Sequence, residues 1–268
     1  MPITLPADAS AELRAALEAS VAAADIARRY YRSNLAVETK ADRTPVTQAD
    51  LECEQAIRAI ILEAFPEDGF FGEETGTTGA DADRLWLVDP IDGTKGFVRE
   101  YPLFSTQIAL MEAGRIRLGV SNGIMFEEIA WAERGKGAWL NDDRLAVSRI
   151  DDPADMALST GNLHSLAAAS GWAALGALVS RANRIRGYGD FFHYHLLAAG
   201  KIEAVVESDV NILDIAALSI LVEEAGGRFT DLDGQAIGLD TRSVLAANPA
   251  LHETLLDAFR GWQSGAGG

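Results

Sequence analysis

The sequence predicts an α/β protein with an α+β N-terminal half and an α/β C-terminal half. Apolar residues recur at helical spacing in two long stretches near the start. Short apolar runs separated by Gly-containing turns follow, as in an antiparallel sheet. After Ile150-Asp-Asp-Pro153 the helical and strand-like patterns alternate. The expected division is therefore residues 1–150, residues 151–262 and a disordered tail at residues 263–268.

Composition narrows the class of protein. The 268 residues are 48% hydrophobic and 24% charged, which is ordinary for a globular chain that buries a sizeable core. No run approaches the roughly 18 apolar residues of a membrane span, and the N-terminus lacks the pattern of a secretory signal. The single cysteine, Cys53, excludes an internal disulfide, so a reducing cytoplasm is the expected location.

The chain carries a formal net charge of −17. This charge argues against nucleic acid or an anionic membrane as a partner, because either would be repelled. It would also repel an anionic phosphate ester unless bound divalent cations reversed the local charge. Solubility is the simpler explanation for most of the acidic residues.

Two amphipathic helices are predicted first, over residues 8–31 and from Thr47 to the residue before Pro66. Thr47 and Asp50, three residues apart, resemble a capping box in which Asp replaces the usual Glu. A second interpretation is that Asp50, held in a first helical turn, orients a water beside a metal. The residues alone leave both interpretations open.

Two adjacent acids, Glu73 and Glu74, follow a glycine turn after the second helix. Acids on a surface loop are usually solvated, so their residue type alone assigns them no role. The Gly-, Thr- and Asp-rich segment 75–83 is predicted to be a mobile loop.

A short apolar run at residues 85–88 organises the chain. It is predicted to be a buried strand, and it leads directly into Asp89 and Asp92. Gly93 and Thr94 follow at the expected start of a short helix. Carboxylates suit Mg²⁺, whereas free N–H groups at a helix start suit a phosphate. This turn therefore offers both parts of a metal-assisted phosphate site.

The remaining elements complete the two halves. In the first half, strands are predicted at residues 104–111, 115–122, 127–132 and 138–140, as an antiparallel sheet. In the second half, strands are predicted at residues 156–159, 184–188, 202–207, 228–230 and 244–246. The helices between them are predicted at residues 165–180, 191–199, 215–225 and 249–262.

Three motifs together resemble the inositol monophosphatase superfamily. They are Gly72-Glu-Glu74, Asp89-Pro-Ile-Asp-Gly-Thr94 and Leu213-Asp-Ile-Ala-Ala-Leu-Ser-Ile-Leu-Val-Glu-Glu-Ala-Gly-Gly227, in the order of the family. The segment from Thr44 to Asp50 is similar to the stretch upstream of the family's acidic motif. The resemblance implies a layered αβαβα sandwich that hydrolyses small phosphate esters with two or three Mg²⁺ ions per site. It also implies inhibition by Li⁺ and a homodimer.

The resemblance further implies a set of metal ligands. Glu73 matches a metal-binding glutamate with a part in catalysis, and Asp89 matches the carboxylate that bridges two metals. Ile91 matches the residue whose backbone carbonyl binds the first metal, while Asp92 and Asp214 match the ligands of the second. Two metals held in this way stabilise both the attacking and the leaving oxygen of an in-line displacement.

The resemblance assigns the phosphate and the attacking water as well. Asp92, Gly93 and Thr94 match the phosphate-binding segment, and the Thr94 hydroxyl with Asp50 matches the pair that positions the water. One departure is visible, because Leu213 stands where the family usually has Trp or Tyr. Leu213 matches no ligand, so we expect only a local change in packing beside the aspartate that follows it.

Substrate choice depends on the second half. Gly187-Tyr-Gly-Asp-Phe191 resembles the histidinol-phosphate phosphatases of this superfamily, particularly the actinobacterial type. Asp190 stands where the inositol enzymes usually have an uncharged residue, and Glu207 and Asp214 match substrate-contacting acids. Carboxylates would form charge-assisted hydrogen bonds with the ammonium and imidazole groups of histidinol phosphate. The alternative role for Asp190 is the N-cap of the helix that starts at Phe191.

The expected function is Mg²⁺-dependent hydrolysis of L-histidinol phosphate in histidine biosynthesis. The alternative on the same scaffold is an inositol-1-monophosphatase or a nucleotide-type phosphatase acting on 3'-phosphoadenosine 5'-phosphate. A non-catalytic metal- or phosphate-binding protein is a third hypothesis. The four histidines show no triad-like grouping with Ser or Cys, and His193 and His195 would not share a helix face. They are expected to be core or surface residues.

Overall fold

The structure, a computed structural model, describes residues 3–33, 37–39, 45–79, 82–168 and 171–260. Its helices are α1 (Ala11–Tyr30), α2 (Gln48–Ala64), α3 (Thr94–Val98), α4 (His164–Ala167), α5 (Gly171–Val179), α6 (Asp190–Ala198), α7 (Ile212–Glu224) and α8 (Pro249–Ala258). Its strands are β1 (Val37–Thr39), β2 (Pro45–Thr47), β3 (Gly69–Gly72), β4 (Gly76–Thr78), β5 (Arg84–Asp92), β6 (Ser105–Glu112), β7 (Arg115–Gly123), β8 (Glu128–Glu133), β9 (Gly137–Leu140), β10 (Asp143–Arg144), β11 (Ala157–Thr160), β12 (Arg184–Arg186), β13 (Ala204–Ser208), β14 (Arg228–Thr230) and β15 (Ser243–Ala247). None of the helices in these ranges combines the length and the apolar character needed to cross a membrane.

Two large sheets form the framework. The first has the strand order β10-β9-β8-β7-β6-β5-β3-β4, and the second has the order β12-β11-β13-β15-β14. In the second sheet β12, β11 and β13 run parallel, while β15 runs antiparallel to both of its neighbours. The short strands β1 and β2 pair separately.

The first sheet is antiparallel except between β3 and β5, which run parallel. The antiparallel pairing of the predicted strands is confirmed, whereas β3 and its parallel pairing with β5 were not predicted. The cause is β4, which pairs antiparallel with β3 at the edge of the sheet. The chain then crosses to the other side of β3 and forms β5, which runs in the same direction as β3. The predicted mobile loop at residues 75–83 is wrong where β4 forms, with Thr77 opposite Phe71.

Three apolar cores separate the layers. Helices α1 and α2 pack on one face of the first sheet, α6 and α7 fill the space between the sheets, and α4, α5 and α8 cover the far side of the second sheet. Successive side chains of a strand point to opposite faces. Accordingly Trp86 and Val88 belong to the core under α1 and α2, whereas Leu85 and Leu87 belong to the core against α7. The αβαβα layering predicted from the sequence is confirmed.

The helices follow the sequence pattern with one exception. The single helix predicted over residues 165–180 is wrong, because α4 ends at Ala167 and α5 begins at Gly171. Glycine is a poor helix former, and its presence favours a break at this point. The tail at residues 263–268 lies outside the described residues. The boundary near residue 150 remains a prediction, since the core between the sheets takes side chains from both halves.

Candidate active site

Three carboxylates converge at the end of the first sheet. Asp89 and Asp92 lie at the end of β5, and Asp214 lies in the first turn of α7, which packs across β5, β6 and β7. One oxygen of each acid lies within 4.8 Å of the other two. We refer to these three residues as the carboxylate cluster. Hard carboxylate oxygens at this separation are a donor set that fits Mg²⁺.

The electrostatics of the cluster favour a bound cation. Burial raises the pKa of Asp89 well above its usual range, and the neighbouring charges of Glu73 and Asp92 raise it further. Burial likewise raises the pKa of Asp92, with Asp190 as the next contribution. Burial also raises the pKa of Asp214 to about 7. Buried acids beside other acids resist ionisation, and a divalent cation would remove that resistance.

The start of α7 fixes the orientation of Asp214. Asn211 is the N-cap, and its backbone N–H donates to Asp214 Oδ2 at 3.0 Å, while its side-chain Nδ2 donates to Asp214 Oδ1 at 2.7 Å. Together with the Asn211 side chain, which accepts a backbone N–H, this forms a capping box. Leu213, in place of the usual aromatic residue, is buried in the core between the sheets.

Asp50 serves the fold with one oxygen and faces the site with the other. Its Oδ2 accepts the Thr47 backbone N–H at 2.8 Å and the Thr47 hydroxyl at 2.6 Å, so the predicted capping box exists. Its Oδ1 lies 3.4 Å from Thr94 Oγ1, which also lies 3.1 Å from the Ile91 carbonyl oxygen. Burial raises the pKa of Asp50. The capping role and the proximity to Thr94 therefore coexist.

Gly93 forms the N-cap of α3 with a left-handed backbone, φ 86° and ψ 33°. A Cβ at this position would lie 2.8 Å from the Leu103 carbonyl oxygen, so glycine is required both by conformation and by space. The first N–H groups of a helix have no acceptor within the helix. Here they follow directly after Asp92, where they are suited to an anion.

Glu54, a buried acid of α2, was not predicted to belong to the site. Its Oε2 accepts the Glu74 N–H at 2.7 Å, and its Oε1 accepts the Thr75 N–H at 2.8 Å. A Cβ on Gly72 would lie 2.4 Å from the carboxyl carbon of Glu54, so only glycine admits this contact. Glu54 therefore holds the turn that carries Glu73. The available signal was its position four residues after Asp50, on the same face of the helix.

Glu207, on β13, is a buried carboxylate supplied with protein donors. The Tyr194 hydroxyl donates to its Oε2 at 2.5 Å, and His193 Nε2 lies 3.1 Å from the same oxygen. The Asn162 N–H donates to its Oε1 at 3.3 Å. The other ring nitrogen of His193 lies 3.2 Å from Ser159 Oγ. His193 is buried, as the sequence suggested, but its contact with Glu207 was missed because the partners lie on different elements.

Asp190 is the first residue of α6 and has a left-handed backbone with φ 45°. The N-cap is Gly189, and no side-chain capping bond forms, so the alternative role of Asp190 as an N-cap is wrong. Burial raises the pKa of Asp190, and the charge of Glu207 raises it further. Asp190 thus lies close enough to Glu207 and to Asp92 for mutual repulsion. We refer to Asp190 and Glu207 as the acidic wall.

The chain is similar to known proteins in both sequence and structure. The model of the inositol monophosphatase family matches residues 8–264. A histidinol-phosphatase of Mycobacterium tuberculosis is 40% identical over 239 residues, covering 85% of this chain and 89% of the relative. An inositol-1-monophosphatase of Mesorhizobium japonicum is 35% identical over 231 residues, covering 85% and 87%. The crystal structure of the extragenic suppressor protein suhB from Bartonella henselae superposes with a TM-score of 0.87 at 31% identity, covering 94% of this chain and 99% of that one.

Proposed function

The chain belongs to the inositol monophosphatase family and is a phosphatase, and we propose that it hydrolyses L-histidinol phosphate to L-histidinol and phosphate. The observation that carries the proposal is the acidic wall beside Asp92. A leaving alcohol with an ammonium and an imidazole group would meet two carboxylates there. The name of the Mycobacterium tuberculosis relative, histidinol-phosphatase, supports the same substrate.

Two or three Mg²⁺ ions are the proposed cofactors. Glu73, Asp89, Asp92 and Asp214 would hold them with their carboxylates, and Ile91 would contribute its backbone carbonyl. When bound, the ions supply Lewis-acid stabilisation of charge on the phosphate and the leaving oxygen. The close approach and the raised pKa values of the carboxylate cluster support this assignment.

The protein's own groups would position the reactants. The N–H groups of Gly93 and Thr94 would bind the phosphate beside Asp92. Asp50 Oδ1 and Thr94 Oγ1, 3.4 Å apart, would hold the attacking water between them, and Asp50 would accept its proton. The water oxygen then bonds to phosphorus as the bond from phosphorus to the alcohol oxygen breaks, the released oxygen takes a proton from solvent water, and Asp50 returns its proton to solvent.

The acidic wall and Asp214 would receive the alcohol. A hydrogen bond between charged groups contributes roughly 1.5–3 kcal/mol. A neutral polyol would gain less than this from the same carboxylates.

Hydrolysis of inositol 1-phosphate is the second candidate, because the Mesorhizobium japonicum relative bears that activity in its name.

A panel of phosphate esters tests the proposal. Phosphate release from L-histidinol phosphate, inositol 1-phosphate, glycerol 2-phosphate and 3'-phosphoadenosine 5'-phosphate is measured with Mg²⁺ and with a chelator. We expect kcat/KM for histidinol phosphate to exceed the others at least about tenfold, which corresponds to about 1.4 kcal/mol. A higher value for inositol 1-phosphate would assign the second candidate. Unchanged release in the chelator would contradict the metal assignment.

The setting of the reaction is proposed on the same grounds. The enzyme would act in histidine biosynthesis in the cytoplasm, as a homodimer that needs neither nucleic acid nor membrane. Inhibition by Li⁺ in the same assay and the mass measured by light scattering test two of these points.

A further inference from the structure

A chain of buried polar side chains runs from Asp92 across the first sheet to α6. Ser105 Oγ lies 3.0 Å from Asp92 Oδ2, and Gln107 Nε2 lies 2.8 Å from Ser105 Oγ. The same Gln107 nitrogen lies 3.0 Å from Ser121 Oγ, and His195 Nε2 lies 2.9 Å from Ser121 Oγ. None of the four side chains beyond Asp92 is more than 2% exposed. Strand register sets the contacts, because Ser105 is paired with Asp92 and Ser121 with Gln107.

When Asp92 is ionised, as a metal ligand must be, the chemistry of these groups fixes the direction of the hydrogen bonds from Asp92 as far as Ser121. An ionised Asp92 can only accept, so the Ser105 hydroxyl must donate to it. Ser105 Oγ then accepts from the Gln107 amide, whose nitrogen carries two hydrogens. The second hydrogen of Gln107 goes to Ser121 Oγ, whose hydroxyl can in turn donate to His195 Nε2 when that nitrogen carries no hydrogen.

The far end of the chain agrees with this direction. Burial lowers the pKa of His195, so the ring is neutral and carries one N–H. Nδ1 lies 3.5 Å from Glu128 Oε2 and makes no hydrogen bond among the described residues, but it faces that carboxylate, so the hydrogen is placed on Nδ1 and Nε2 accepts from Ser121. Gln107 Oε1 has no hydrogen-bond partner among the described residues. If the Gln107 amide were rotated so that its oxygen faced the two serines, both serine hydroxyls would donate to that oxygen. Asp92 would then lose the hydrogen bond from Ser105.

We propose that Ser105, Gln107, Ser121 and His195 are positioning residues that fix the Asp92 carboxylate for metal binding. The inference rests on the proposed function, in which Asp92 is a metal ligand. A buried polar network that leaves Gln107 Oε1 and His195 Nδ1 without hydrogen-bond partners costs stability compared with an apolar core, so packing alone does not account for it. Its other end lies in α6, the helix that begins with Asp190, and it therefore connects the metal site to the acidic wall.

Direct metal binding tests the first link. The full chain, stripped of metal, is titrated with Mn²⁺ by calorimetry, and its thermal unfolding is measured without metal. Loss of a hydrogen bond to a metal ligand typically weakens metal affinity about 10- to 100-fold, so Ser105→Ala should weaken Mn²⁺ binding by about that factor. The Tm of the metal-free variant should stay within a few degrees of the unsubstituted protein. Ser20→Ala is the matched control, because Ser20 is equally buried and donates only to Leu17 of its own helix.

Paired variants of His195 test the far link. Glutamine can place an acceptor near the position of Nε2 and keep the bond from Ser121, whereas leucine cannot. We expect His195→Gln to bind Mn²⁺ within about threefold of the unsubstituted protein and His195→Leu to bind about tenfold more weakly. Unchanged affinity in Ser105→Ala, or equal losses in the two His195 variants, would overturn the proposal. Failure of the unsubstituted protein to bind Mn²⁺ would instead contradict the proposed function.

Discussion

The carboxylate cluster and the acidic wall are both buried and acidic, but the protein treats them differently. In the cluster the acids face one another, and Asp89 accepts the Ile91 N–H at 3.0 Å. In the wall, Glu207 accepts hydrogen bonds from the Tyr194 hydroxyl, the Asn162 N–H and the His193 ring. Both oxygens of Glu207 thus have partners within the fold, whereas burial and neighbouring acids raise the pKa values of the cluster.

This difference indicates two kinds of ligand. Acids that raise one another's pKa need a cation to ionise together, whereas both oxygens of Glu207 already have partners in the protein. Since Glu207 already has its donors, we expect Asp190 to be the acid of the wall that meets a substrate. The cluster would then select the metal, and the wall would select the alcohol.

Removing one acid of the cluster should have the largest effect. Asp89→Asn should lower kcat by more than about 100-fold, because Lewis-acid stabilisation worth several kcal/mol depends on the metal that Asp89 would hold. The metal-free protein should stay folded, with an unchanged or higher Tm, since the substitution removes repulsion within the cluster. Steady-state rates and thermal unfolding measure the two effects. Near-normal turnover in a folded variant would show that Asp89 is not a metal ligand.

Removing the available acid of the wall should have a smaller and selective effect. Asp190→Ala should lower kcat/KM for histidinol phosphate about ten- to a hundredfold, through the loss of a charged hydrogen bond of roughly 1.5–3 kcal/mol. The value for glycerol 2-phosphate should barely change, because the metal and phosphate sites remain. If both substrates lose equally, Asp190 supports structure and does not select the alcohol.

Changing the donors of Glu207 should have a still smaller effect. His193→Gln can place a donor where Nε2 now reaches Glu207, whereas His193→Asn is too short. We expect His193→Asn to lower kcat/KM for histidinol phosphate about three- to tenfold, and His193→Gln to preserve it, since a neutral donor contributes about 0.5–1.5 kcal/mol. Kinetics of both variants decide the point, and equal behaviour would mean that His193 only fills space.

The pH dependence of the metal-free protein is the mildest test. An unfolded Asp has a pKa of about 3.9, and burial raises the pKa of Asp214 in the fold to about 7. The folded state therefore binds more protons between these values, so stability present at low pH is lost as pH rises toward 7. Tm measured without metal should fall between pH 5 and pH 8, and Mg²⁺ should raise it more at pH 8 than at pH 5. A flat profile would contradict the raised pKa of Asp214.

The sequence predicts best where the signal is local. Helical spacing gave α1 and α2, and the motif after residues 85–88 marked Asp89 and Asp92, because neighbouring residues carry that information. The parallel pairing of β3 with β5 was not predictable, since it depends on where the chain returns.

The missed parts of the candidate site share one cause. Glu54 meets the turn about 20 residues further along, and Glu207 meets the ring of His193 from another layer. Such contacts depend on how helices and sheets are stacked, and no periodicity of the chain encodes them. The left-handed backbone of Asp190 is likewise imposed by its surroundings, because aspartate adopts it only at a cost.

The two capping boxes have a consequence for the evolution of such chains. Asp50 and Asp214 are the N3 residues of capping boxes at the starts of two long helices, where each accepts the backbone N–H of the N-cap residue and so supports a cap whose loss costs about 0.5–2 kcal/mol. A descendant that had lost all enzymatic activity would therefore still be selected to keep both acids, simply to remain folded. Asp89 and Asp92 end a strand and would drift once catalysis was no longer needed. Among diverged proteins of this fold, acids at the positions of Asp89 and Asp92 are thus expected to be the better marker of retained enzymatic activity.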